Sequence, residues 1–110
     1  MTEVVYEVNL DVEAAIAPAF RVWLGQHVRE MLALPGFVSA EILHDEPAPD
    51  TEPRSWSVRY RLCDRLALQH YFEQHAAQMR ADGLQRFGQR FTASRRILLS
   101  EPLTAPPPTG

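Results

Sequence analysis

Hydrophobic and polar residues alternate with a period of two along several stretches of this chain, and recur at spacings of three and four along others. In EVVYEVNL (3 to 10), Val4, Tyr6, Val8 and Leu10 fall on one side and Val5, Glu7 and Asn9 on the other, as in a strand with one side in a core. From Ile16 onward, Phe20, Trp23, Leu24, His27, Val28, Met31 and Leu32 form a helical stripe, with Pro18 tolerable only in the first turn and LPGF (34 to 37) as the stop. FVSAEILH (37 to 44) alternates again, setting Val38, Ala40 and Ile42 against Ser39, Glu41 and Leu43. EPAPDTEP (46 to 53) then breaks the pattern with three prolines. SWSVRYRL (55 to 62) is a third strand, with Trp56, Val58, Tyr60 and Leu62 on one face. A second long helix follows, its apolar stripe made of Leu68, Tyr71, Phe72, His75, Ala76 and Met79. Asp82, with Gln85 three residues on, predicts the cap of a short extra helix, and TASRRILL (92 to 99) is the last strand.

The order β-α-β-β-α-β predicts an α+β, ferredoxin-like domain over residues 1 to 100: a four-stranded antiparallel sheet in the order 4-1-3-2 with both helices on one face. The opposite face gives an independent check. Across that strand order it presents Arg96, then Glu7, then Arg59 and Arg61, then Glu41, so neighbouring strands offer opposite charges. Residues 101 to 110, EPLTAPPPTG, carry no periodic apolar pattern and read as a loose tail.

Composition narrows the function classes. The chain has 110 residues, enough for one core, and is 45% hydrophobic and 23% charged, the balance of a soluble globular protein. Its net charge of −3 argues against a nucleic-acid partner, and no apolar run is long enough for a membrane span. The single cysteine, Cys63, and the absence of a secretory pattern in MTEVVYEV lead to the expectation of a cytoplasmic protein. The signatures GxSxG, GxGxxG, GK[ST], HExxH and CxxC are all missing, so the common hydrolase, nucleotide and zinc chemistries lack their motifs.

Candidate chemistry gathers between sheet and helices. In LQHYFEQHAAQM (68 to 79), His70 and His75 are five apart, which on a regular helix turns them about 140° from one another and prevents them from holding one ion. His70 falls on the polar side; His75 falls on the apolar stripe, as His27 does on the first helix. With Tyr6, Trp23, Trp56, Tyr60, Tyr71 and Met79, these histidines form a layer unusually rich in polar-tipped aromatics. Two readings stand: the groups satisfy one another in a closed core, or they line a cavity for a small aromatic ligand with His75 and His27 handling protons. A metal held by His27 and His75 has too few further ligands.

YEVNL, LPGF and HYFEQHAAQMR in a chain of this length resemble the dimeric α/β-barrel superfamily that includes the antibiotic-biosynthesis monooxygenases. WLGQHVREMLALPGF and the stretch from RYRL to RRIL are similar, across residues 3 to 99, to a small bacterial family of that fold with no assigned function. The resemblance implies a homodimer formed through the sheet face bearing Glu7, Glu41, Arg59, Arg61 and Arg96. It also implies a pocket between sheet and helices and a cofactor-independent, monooxygenase-like activity on a small aromatic molecule. The alternative is a non-catalytic ligand-binding or assembly domain with a closed core. Haem-degrading members of the superfamily use a strand-one asparagine, a tryptophan ending strand three and a helix-two histidine. Here Asn9 faces away from Tyr6, Leu62 stands near the tryptophan position and His75 comes a turn and a half early, so no cofactor is expected.

Overall fold

Every strand of the sheet takes its partners from β1 outward. The computed structural model describes residues 3–46 and 49–109; Met1, Thr2 and Gly110 lie outside the described residues, as do Pro47 and Ala48 of the proline-rich loop. β1 (Val4–Val12) pairs antiparallel with β3 (Arg54–Leu62) on one side and β4 (Phe91–Leu99) on the other, and β2 (Phe37–His44) pairs with β3. The sheet order β2-β3-β1-β4 is the expected 4-1-3-2 read from the other edge, and the fold is ferredoxin-like α+β. A short 3-10 turn (Ala14–Ile16) leads into α1 (Ala17–Leu32), with Pro18 in the first turn, where its missing N–H costs nothing. Gly36 makes the tight exit at a φ of 84°, and a Cβ there would run into the Cβ of Ala67 on the next helix.

The alternation in the sequence translates into faces. Tyr6 lies opposite Tyr60 on β3 and Ile97 on β4, while its neighbour Glu7 lies opposite Arg59 and Arg96. Val4, Tyr6, Leu10 and Val12 from β1 meet Phe20, Leu24, Val28 and Met31 from α1 and Leu68 and Tyr71 from the next helix in one core. Residues 101–109 form no helix or strand and are exposed. No helix among the described residues is long and apolar enough to cross a membrane.

Two elements differ from the sequence reading. Val38, expected on the helix-facing side of β2, is 57% exposed because a register shift between Phe37 and Ser39 gives the place opposite Leu62 to Phe37. The second helix is not one regular rod with a separate short helix after it. It is α2 (Arg65–Gln74), a break at His75 where φ is −131°, and α3 (Ala76–Phe87), so Asp82 lies inside α3 and caps nothing. The cap that does form is at α2, where Asp64 Oδ1 accepts from the Ala67 N–H at 2.8 Å.

On the outer face, Glu7 accepts from Arg96 Nε at 2.7 Å, from Arg59 Nε at 2.8 Å and from Asn9 Nδ2 at 3.1 Å. The carboxylate joins three adjacent strands and is 2% exposed, but the two arginines that bind it are themselves partly exposed, so water still screens the cluster. The hydrogen bond from Arg96 does most to lower the Glu7 pKa from 4.5 to about 2, with help from Asn9 and Arg59 and against the cost of desolvation. A depressed carboxylate pKa stabilises the fold above the unfolded value and loses that contribution as pH falls through the folded one. Glu7→Gln is therefore expected to cost about 1 to 2 kcal/mol at pH 7, after allowance for screening. In urea melts, the gap between variant and parent should shrink from pH 4.5 downward and close near pH 2. A constant gap across that range would show that the carboxylate's charge contributes nothing.

Candidate functional site

Rings from the sheet and all three helices meet above the middle of the sheet without filling the space between them. Tyr6 stacks on Tyr60 with centroids 6.0 Å apart and meets Tyr71 at 5.7 Å and Phe72 edge-on at 5.5 Å. Toward the other end, Phe20 stacks on Trp56 at 6.0 Å, and Trp23 stacks on His27 at 4.6 Å. Between these groups lies a cavity of about 260 Å³, with Tyr6, Leu24, Met31, Tyr60, Tyr71 and Met79 among its lining residues. Its lining residues that are exposed are Arg80, Leu84 and Arg95, so it opens between α3 and the edge strand β4.

Two close contacts fix the wall beside α1. Trp23 Nε1 donates to Asp82 Oδ2 at 3.0 Å, a bond between α1 and α3. Gly83 lets the indole lie against α3, since a Cβ there would come within 2.9 Å of Trp23 Cη2 and 3.3 Å of Cζ2. His27, one turn beyond Trp23, also lines the cavity, and its Nδ1 is buried without a hydrogen-bond partner among the described residues. Burial lowers its pKa below 6.5, opposed by the nearby charges of Asp82 and Glu30, so the ring is neutral at pH 7. The Tyr71 hydroxyl is pushed up to about 12 by burial, with the neighbouring Tyr6 adding to it, and Tyr60 moves further in the same direction for the same reasons. Both phenols therefore stay protonated and serve as hydrogen-bond donors rather than bases. His27, Glu30 and Asp82 bring possible ligand atoms within 4.8 Å of one another, the one such group among the described residues. Asp82 is already engaged there by Trp23 and lies 3.9 Å from Arg86.

Of the side chains expected at the site, Tyr6, Trp23, Tyr60, Tyr71, Met79 and His27 line this cavity together. Trp56 does not; it packs on Phe20 and borders a separate, shallower depression with Arg21 and Arg54. His75 does not either, and this corrects the expectation that both histidines face the core. The break it occupies rotates it out of the stripe that a continuous helix would have continued. The same break brings the His70 and His75 rings to 5.6 Å, far closer than opposite sides of a regular helix allow. Three contributors carry another reading in the sequence: Asp82 reads as a helix cap, and Arg80 and Arg95 belong with Arg86, Arg90 and Arg96 to a basic cluster whose readings are a solvated or ion-paired face and an anion-binding patch. Arg95 was within reach, because the parity that turns Arg96 outward turns Arg95 toward the helices, opposite Val8.

With the site in view, the chain's relatives can be placed. It belongs to the DUF4286 family, a domain of unknown function, whose model matches residues 3–100. No curated protein matches it in sequence. In structure it is similar to SnoaB, a cofactor-independent oxygenase from Streptomyces nogalater, here a single-site variant. The TM-score is 0.69 and the identity 21%, over 94% of this chain and 97% of that one. A candidate antibiotic-biosynthesis monooxygenase from Deinococcus radiodurans is similar at a TM-score of 0.64 and 16% identity, over 97% and 99% of the two chains. So is the de novo designed protein Foldit4, at 0.59 and 12%, over 90% and 99%. At these identities the likeness is one of fold: a ferredoxin-like α+β fold that an oxygenase, a candidate monooxygenase and a designed protein share.

Gly83→Ala tests the wall of the cavity. Alanine favours a helix interior by about 1 kcal/mol, but here its methyl meets a rigid indole hemmed in by Phe20, His27 and Phe87. The variant is expected to melt lower and to show altered Trp23 fluorescence. A higher melting temperature with an unchanged spectrum would mean that Trp23 is free to move aside.

Proposed function

We propose that this protein binds a small aromatic molecule in the cavity between sheet and helices and oxidises it with molecular oxygen, without a cofactor. The observation that carries the reading is the cavity's make-up: an apolar space of about 260 Å³ onto which an unpartnered neutral imidazole and two protonated phenols converge. A phenol such as 1-naphthol illustrates the chemistry. His27 takes the hydroxyl proton, and the electron density gained at the para carbon reduces oxygen and then combines with it to give a peroxide. His27 returns the proton to the peroxide, and loss of water leaves the quinone, so naphthol plus O2 gives naphthoquinone plus H2O. Asp82 and Glu30 would steady the imidazolium formed on the way, and the phenols of Tyr60 and Tyr71 would donate to the oxygen that gains charge. The role of base falls to His27 and not to His75, which has no side on the cavity.

The test is oxygen uptake with 1-naphthol, alongside binding by calorimetry. His27→Gln is expected to keep binding and lower turnover by about 100-fold, whereas His75→Ala should leave both close to the parent. Because the base must be neutral and its pKa is lowered from 6.5, the midpoint of the fall in rate on acidification should lie below that pH. Binding without oxygen uptake would leave a non-catalytic ligand-binding domain, and no binding by any small aromatic would end the reading.

We further propose that the protein works as a homodimer joined through the outer face of the sheet. Support comes from the face itself: four strands with no helix over them, carrying the Glu7 cluster and the partly exposed Leu43. Sedimentation at micromolar concentration is expected to give a two-chain particle that Arg59→Glu weakens. A single-chain particle for the parent would refute it.

A further inference from the structure

The charged groups at the mouth of the cavity are all of one sign. Arg80 and Arg95 line it, and no carboxylate does, in a chain whose net charge is −3. Elsewhere, Arg54, Arg59, Arg61, Arg86, Arg90 and Arg96 each lie within 4.0 Å of an acidic side chain. Arg80 and Arg95 form no ion pair among the described residues; neither do Arg21, Arg29 and Arg65, but of these five only Arg80 and Arg95 line the cavity. The contrast is sharpest between adjacent positions on β4: Arg96 is bound to Glu7 on the outer face, and Arg95, opposite Val8, stands on the cavity side with no acidic partner. Arg80 donates to the Tyr6 hydroxyl at 3.1 Å, which leaves that hydroxyl's own proton available to a third group.

We propose that the ligand is an aromatic acid, whose carboxylate is held by Arg80 and Arg95 at the mouth while its ring enters the apolar interior. The proposal rests on the reading of this cavity as a ligand site. It adds the chemical class that the site selects: two guanidinium forks suit a planar carboxylate, and the absence of acidic lining residues means nothing competes for them or repels the ligand. Arg95 comes from the edge strand and Arg80 from α3, so a bound carboxylate would join the two elements that flank the opening.

Calorimetric titration of the full chain with 2-naphthoate and 2-naphthamide, which share a ring system and differ in charge, tests it. The acid is expected to bind at least about 10-fold more tightly than the amide, the range of one to two hydrogen bonds to a charged group. Arg95→Met should remove most of that advantage and leave the amide's affinity alone; Arg95→Lys should restore part of it. Arg95 is the cleaner probe, because Arg80→Met also releases Tyr6. Added salt should weaken the acid only. Equal affinity for the two compounds, or an Arg95→Met variant that weakens both alike, would overturn the acid proposal while leaving the cavity a ligand site. If neither compound binds, the reading of the cavity falls, and the acid proposal falls with it.

Discussion

The register of β1 between β3 and β4 is the constraint on which the rest of this structure depends. Successive residues on a strand point to opposite faces, so Tyr6 and Glu7 cannot both face the same way. A slip of one residue would carry the Glu7 carboxylate into the aromatic layer and turn Tyr6 to water. The two faces hold the register from opposite sides. Beneath the helices, Tyr6 is 2% exposed and packed against Tyr60, Tyr71 and Phe72. On the other face Glu7 is bound by arginines from both neighbouring strands. The same register that seats the carboxylate sets Tyr6 and Tyr60 side by side in the cavity floor, and it turns Arg95 inward next to the outward Arg96.

Given that floor, the open space follows from how the helices are held above it. Large rings fill a layer only when their shapes interlock, and the Trp23 indole is fixed by its bond to Asp82 and by its close approach to Gly83. Held there, it keeps α1 and α3 in contact at one edge and cannot turn down into the gap. Tyr60 and Tyr71 line the same region, and an apolar filling there would offer their hydroxyl groups no partner. The cavity is thus consistent with the polar tips that line it: a space that takes a ligand offers those groups what a closed core would deny them.

The strands were legible because period two is a strong signal, and the face of each residue on β1 and β3 follows from it directly. What escaped were local departures from regularity. Nothing in FVSAEILH marks the shift between Phe37 and Ser39, which depends on how β2 meets Leu62 and not on the residues of β2 alone. The break at His75 lies in FEQHAAQ, a run with neither proline nor glycine, so helical periodicity runs straight through it and gives His75 a place on a helix that ends one residue earlier. His27, on the unbroken helix α1, lines the cavity. Arg95 is a different case: it stands out in the sequence as one of a basic cluster with Arg80, Arg86, Arg90 and Arg96, which fits a solvated face as well as an anion-binding patch, and only the parity that turns Arg96 outward separates it from its neighbour.

A fold shared with both an oxygenase and a designed protein cannot by itself specify a reaction, so any specificity has to reside in side chains that the fold leaves free to vary. In this chain those side chains divide by position. The deep ones, Leu24, Met31, Val58 and the tyrosines, set size and apolar character. His27 would supply the neutral base, its ring kept unprotonated by burial even though Asp82 and Glu30 pull the other way. The mouth carries the charge. An acid attracted there would be oriented before its ring met His27, and because the carboxylates of this acidic protein lie outside the cavity lining, the orientation would be decided by two arginines alone. Binding and proton transfer would then rest on different elements, β4 with α3 for the first and α1 for the second, joined through the contacts of Trp23 with Asp82 and Gly83 and of Phe20 with Phe87 and Phe91.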